Sequence, residues 1–408
     1  MFQPYYNDTN FAQLVITSDV KEDFKVDIQS PFSGAFQTVY RAQNVAIVNL
    51  PTSILDLSAG SNMNGIKITS DHPISVVGLL GLGPYSTEAF MALPTDQLGK
   101  QYYIATHKRD MSETQTIGIV SLFDNTEVTI SASDNNVMFL TNLNYTISAG
   151  RNYSITLGYL DTFYFESMDD ITGTILESNK EIAVYDGLKL TGLTYNYQTN
   201  TYSENVKYIE IEQLPPKSGF ANEFIIPLIM YSSALNVQSV SIVPFSKIYT
   251  YHDNVFTVNQ EKIVNKINVN SPKAISIACK DPLLVTLHVS MYYRSRTSYF
   301  SVNVPAISQF SNHYVISVPS LNITYENFVS IIIKSNDVGG LRFDGHIVTP
   351  VSEIDVNYEN QLYKTLVLRL SPIHSHIIGH ISQGVVFGAI VYGVGVGYAY
   401  GYSAGTEF

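Results

Sequence analysis

Tryptophan is absent and cysteine occurs once, as Cys279. A single thiol cannot form an internal disulfide. Cys279 sits in an apolar run with no neighbouring base or positive charge, which fits a buried, inert thiol rather than a nucleophile. Charge is also scarce. Charged residues are 14% of the chain, and 35 acidic against 23 basic residues give a net charge of −12. No basic patch is present: Lys108-Arg109, and Arg294 with Arg296, read as solvated loop charges. Nucleic acid and anionic membrane surfaces, which need such patches, are therefore excluded as partners. Helical periodicity is almost missing. So are a Gly-x-Ser-x-Gly elbow, a P-loop and a zinc-protease motif, and Gly78, Gly81 and Gly83 fail the dinucleotide spacing. No signal peptide is expected, because Met1-Phe2-Gln3-Pro4 leads straight into polar residues.

What the chain does have is strand chemistry. The 408 residues are 45% hydrophobic, with 29 Tyr and 20 Phe, and they are rich in Ile, Val, Thr and Asn. β-Branched and aromatic side chains suit a pleated, half-buried surface. Alternating segments such as Val128-Thr129-Ile130-Ser131, Tyr153-Ser154-Ile155-Thr156-Leu157 and Phe163-Tyr164-Phe165-Glu166 read as strands. Turn signals separate them, among them Asp124-Asn125, Asp134-Asn135-Asn136 and Ala149-Gly150. Strands spaced by about ten residues predict sandwiches or barrels.

The chain also repeats itself. Asp96-Gln97-Leu98-Gly99 precedes Tyr102-Tyr103-Ile104. Glu212-Gln213-Leu214-Pro215 precedes Phe224-Ile225-Ile226, and Val304-Pro305-Ala306-Ile307 precedes Tyr314-Val315-Ile316. A strand–turn–strand phrase recurs about 80 residues into each unit, beginning at Ile66, Gly173 and Ile275. The expected fold is all-β, a tandem array of about four β-sandwich-like modules packed together. A large β-propeller is the alternative. Module limits are expected at 1–92, 93–211, 212–303 and 304–408, with no flexible linker between them. Leu98 and Leu214 are expected core anchors.

Few residues offer site chemistry. His374, His376 and His380 have metal-like spacing, since alternate strand residues share a face. No carboxylate or thiol adjoins them, and a polar strand face explains them equally; no cofactor is expected. Asp169-Asp170 reads as a solvated turn rather than a calcium loop. The apolar run from Val385 to Tyr398 has the length of a membrane span, but its glycines weaken a helix. A buried closing strand followed by a Gly/Tyr loop is expected, without membrane insertion. Sequons occur at Asn7, Asn144, Asn152 and Asn322.

Several phrases resemble the N-terminal domain family of the IgG Fc-binding protein. They are Leu93-Pro94-Thr95-Asp96-Gln97-Leu98-Gly99 with Tyr102-Tyr103, Asp170 to Thr174 with Ser178 to Val184, Glu212 to Pro216 with Phe224 to Leu228, and the Gly/Tyr ending from Phe387 to Gly405. They follow the family order over nearly the whole chain. The resemblance implies a secreted, non-catalytic binding or matrix module with an extracellular protein or glycan as partner. Vertebrate members carry further cysteines, so cross-linking within this segment is not expected here. Fc binding is carried over to no residue of this sequence. Loop tyrosines are the expected contacts, as they offer large rigid area with a polar tip: Tyr195, Tyr197 and Tyr202, and Tyr292, Tyr293 and Tyr299. Strand packing is the competing use of these rings. Two other readings stand beside this one: a structural subunit of a filament or coat that self-associates, and a glycan-active enzyme, which needs paired carboxylates facing a cleft.

Overall fold

The fold is given by a computed structural model. It describes residues 11–406 except 21, 33–35, 43, 52–59, 82–86, 106–112, 133–137, 141–142, 144, 149–150, 197–200, 228, 231–234, 244–247, 252–264, 270–273, 294–295, 320–324, 359 and 372–374. The architecture is all-β, as the alternation predicts.

The strands fall into successive groups along the chain. In the first group, Val45–Leu50, Phe11–Thr17, Ser75–Gly81 and Thr87–Met91 lie side by side in that order, opposite a sheet of Phe36–Ala42, Phe24–Ser30 and Lys67–Ser70. Ile16, Phe24, Val26, Ile28 and Val48 form their shared core. The next two groups are each organised by one very long strand. Ile175–Asn196 pairs through its first half with Gly99–Tyr103 and Thr126–Ser131. Through its second half it pairs with Glu113–Ser121 and Thr201–Gln213. Ile275–Tyr293 likewise passes from Ala221–Ile226 to Leu235–Val243 and Arg296–Asn303. Each long strand thus serves two sets of partners, and the pairings with Gly99–Tyr103 and Ala221–Ile226 each carry a register shift. In the last group, Ser352–Tyr358, Gln361–Leu370, Glu326–Lys334, Gly388–Gly395 and Tyr398–Ser403 form one sheet. His313–Ser317, Ser375–His380, Leu341–Phe343 and His346–Ile347 form the other.

Four strands, one from each group, close a ring. Thr87–Met91 packs on Thr201–Gln213, that on Arg296–Asn303, that on Tyr398–Ser403, and the last on the first again. Apolar cores run across these junctions. Val15, Leu79 and Ala89 from the start of the chain share a core with Ile331, Leu366 and Tyr402 near its end. Phe300 lies over Gly401, where a Cβ would come within 2.2 Å of the ring. Hydrogen bonds add register: the Tyr325 hydroxyl donates to Thr87 Oγ1 at 2.8 Å, the Leu93 N–H to Gln213 Oε1 at 3.0 Å, and the Gln309 amide to the Gly219 carbonyl at 2.7 Å.

The phrases flagged in the sequence fall at the exits of three ring strands. There Leu93-Pro94, Leu214-Pro215 and Val304-Pro305 are each followed by a single 3-10 turn, at Thr95–Gln97, Lys217–Gly219 and Ile307–Gln309. The structural correspondence runs through the apolar-Pro pair rather than through Gln-Leu. Leu214 is accordingly a fully buried anchor, whereas Leu98 is half-buried. Beyond two of the turns a buried tyrosine ties the backbone. The Tyr102 hydroxyl accepts from Gly99 N–H at 2.9 Å and donates to the Ile182 carbonyl at 2.5 Å. The Tyr314 hydroxyl accepts from Ser311 N–H at 2.9 Å and donates to the Phe387 carbonyl at 2.7 Å.

The C-terminal apolar run is the buried strand expected, Gly388–Gly395. The Gly/Tyr segment after it is not a loop. It turns back at Gly397, which has a positive φ of 82°, and becomes the ring strand Tyr398–Ser403. Its glycines leave room for rings: a Cβ on Gly393 would lie 2.1 Å from Tyr400. Cys279 is buried, 8% exposed, in the apolar core around Val285 and Phe224.

Candidate recognition site

A cavity of about 200 Å³ lies on the face of the second group of sheets that turns away from its core, where the first group meets it. Alternation places its residues. In Thr162–Ser167 the rings of Phe163 and Phe165 go inward, 3% and 0% exposed, so Thr162, Tyr164 and Glu166 take the other face. In Glu113–Ser121, Ile117 and Ile119 are core, which leaves Thr116, Gly118 and Val120 outward. Register then sets Gly118 between Tyr164 on one neighbouring strand and Tyr185 on the other. Two strand spacings separate those tyrosines, about 10 Å between Cα atoms. Above Gly118 the nearest atom to a built Cβ is Tyr185 Cβ at 3.8 Å. The glycine is therefore the open floor of a slot flanked by two phenol rings. Ile209 and Ile211 close one end, and Asn62 and Asn64 form the lip.

Among the described residues, the acid and the base beside the slot are paired. The Tyr164 hydroxyl donates to Glu166 Oε2 at 2.9 Å, and Lys189 Nζ meets the same oxygen at 2.7 Å. Burial, with the nearby Glu166 carboxylate, pushes the Tyr164 phenol up, and burial alone does so for Tyr185, so both rings stay protonated. Phe90 braces Tyr185 edge-on at 5.2 Å between ring centres. Asp186 contributes to the lining, but its carboxylate accepts from Ala105 N–H at 3.0 Å on the opposite face of the sheet.

That opposite face carries a second arrangement, a polar seam between the two long hairpins. Ser301 Oγ donates to Glu210 Oε2 at 2.7 Å and lies 2.7 Å from His288 Nδ1. Asn303 N–H donates to Glu212 Oε1 at 2.9 Å, and its amide to the Gln213 carbonyl at 3.0 Å. Glu212 is held well above the ordinary carboxylate range. Burial is the main cause; the Asn303 N–H opposes it and the negative charge of Asp186 adds to it. The space lined by Asp186, Glu210, Glu212, His288 and Ser301 is about 10 Å³, the volume of one water. These carboxylates meet, but around no room for a sugar, and the seam works as a junction.

The predicted site residues are scattered. Tyr195 and Tyr202 are cross-strand partners near the tip of the Ile175–Asn196 hairpin, and Tyr197 lies outside the described residues. Tyr292 and Tyr293 end the strand Ile275–Tyr293, and Tyr299 is half-buried opposite Ser290. His374 lies outside the described residues. His376 is 1% exposed, its Nδ1 2.7 Å from Asp344 Oδ2 and its Nε2 3.1 Å from the Ser371 carbonyl. His380 Nε2 lies 2.9 Å from the Asp337 carbonyl. Both rings are thus engaged by their neighbours, and among the described residues no group of three His, Cys, Asp or Glu side chains has metal-holding geometry. Of the sequons, Asn7, Asn144 and Asn322 lie outside the described residues, and Asn152 is exposed at a strand start. Among the described residues no helix is long and apolar enough to cross a membrane.

The sequence matches the IgGFc binding protein family over residues 88–393, and the chain belongs to that family. No curated protein matches it.

Proposed function

We propose that this protein is a non-catalytic extracellular binding module that recognises a protein or glycan partner. The observation that carries this reading is the Tyr164–Gly118–Tyr185 slot, a preformed cavity at a junction between sheet groups, where binding sites concentrate. Membership of a binding-protein family supports it. In this reading the chain is four modules, 1–92, 93–211, 212–303 and 304–408, that hold the slot rigid. The hairpin-tip tyrosines Tyr195 and Tyr202 are a secondary contact for a large partner. The protein is secreted, and Asn152 is its glycan acceptor among the described sequons. The test is an array of glycans and extracellular proteins, IgG Fc included, probed with the wild type and with Gly118→Val. A saturable hit lost in the variant supports the reading; a hit that survives, or a blank array with folded protein, overturns it.

A further inference from the structure

Resting on the reading of the slot as a recognition site, we infer its ligand class: one neutral hexopyranose residue of a glycan. Size is the first argument. A 150 Å³ apolar cavity accepts a bare six-membered ring, and 200 Å³ leaves room for that ring with its substituents. Shape is the second. Rings about 10 Å apart at their Cα atoms leave space for one ring's thickness between them. The apolar C–H face of a pyranose packs against phenol rings of this kind.

Charge is the third argument, and it excludes the competitors. An anionic sugar or a phosphate needs an uncommitted cation. Among the described residues, the cation beside the slot is Lys189, and it is held by Glu166 at 2.7 Å with side chains only 19% and 17% exposed. A guanidinium or quaternary ammonium needs an uncompensated carboxylate. Glu166 is compensated by that same lysine, and Asp186 faces away to the Ala105 N–H. What remains at the walls and lip is neutral hydroxyl and amide chemistry: Thr116, Thr162 and Asn64. Such groups hydrogen-bond sugar hydroxyls without a charge mismatch.

The experiment is ligand-observed NMR and calorimetry on the full chain, with the methyl glycosides of glucose, galactose, mannose and N-acetylglucosamine as probes. Sialic acid, methylguanidinium and phenol serve as contrasts. The expected result is saturable binding of at least one neutral glycoside, with Kd of roughly 1 mM, weakened at least tenfold by Gly118→Val. A Cβ there meets Tyr185 Cβ at 3.8 Å, an ordinary van der Waals contact without a clash, so circular dichroism and melting should be unchanged; Asn64→Ala is the second variant. Binding of sialic acid, methylguanidinium or phenol in place of the glycosides, sensitive to Gly118→Val, overturns the ligand class and leaves the slot. Binding of nothing, or binding indifferent to both variants, overturns the slot as well.

Discussion

Glu212→Gln should change how stability depends on pH. In the wild type the carboxyl is buried, accepts one N–H from Asn303 through Oε1, and has no partner at Oε2. Asp186 faces it from the paired strand, Glu210 stands two residues away on the same face, and His288 enters from the other hairpin. Its folded pKa lies well above the unfolded one, because burial penalises the charged form. The native state therefore binds more protons than the unfolded state between those two values, and stability falls as pH rises through that window. The slope is about 1.4 kcal/mol per pH unit for a fully protonated native group. As pH rises above the ordinary carboxylate range, this one residue then removes stability progressively. Gln keeps the acceptor for Asn303 and has no proton to lose. The variant should gain on the wild type steadily across that window. Urea unfolding followed by far-UV circular dichroism and tyrosine fluorescence, at five pH values, measures this; with no tryptophan in the chain the tyrosine signal is unobscured. Parallel pH profiles for the two proteins would refute the account of the seam.

Three further outcomes are expected. Tyr102→Phe and Tyr314→Phe should each cost about 1–3 kcal/mol, because each leaves a backbone N–H and a carbonyl without the hydroxyl that joined them; similar shifts in urea midpoint check this, and a neutral result for either would sink it. Asp344→Ala should cost about 2 kcal/mol, since it removes the acceptor of buried His376 Nδ1 and of the Ile377 N–H at 2.8 Å, at a turn position with φ of 49°. Excess EDTA should leave the melting temperature unchanged, because His376 and His380 are engaged by protein groups; a fall on chelation would restore the histidines as metal ligands.

Much of the fold was legible because strand chemistry is local. Alternation in Phe163-Tyr164-Phe165-Glu166 placed the strand, Asp124-Asn125 marked a turn in which Asn125 has φ of 52°, and the apolar run after Val385 was read as a buried strand. Legibility failed where distant neighbours decide. The Gly/Tyr tail looked like a loop because glycine disfavours strands. It is a strand because Phe300 and Tyr400 occupy the space those glycines vacate. The slot was missed for the same reason: Gly118 and Tyr185 are 67 residues apart and meet only through register. One signal was present, since Tyr164 alternates with two core phenylalanines and must therefore present a large ring to the opposite face. The histidines have metal-like spacing, but spacing shows which side chains share a face and not which carbonyls they meet.

The closed ring of strands sets the order in which the protein can be made. Thr87–Met91 needs Tyr398–Ser403 beside it, and the core around Val15 and Leu79 is completed by residues from Tyr314 to Ala404. As the chain leaves the ribosome, Thr87–Met91 and that core must wait until Tyr398–Ser403 has been synthesised. Contacts of such sequence separation are slow to form, so the newborn chain spends that interval with apolar surface open to chaperones and to neighbouring copies.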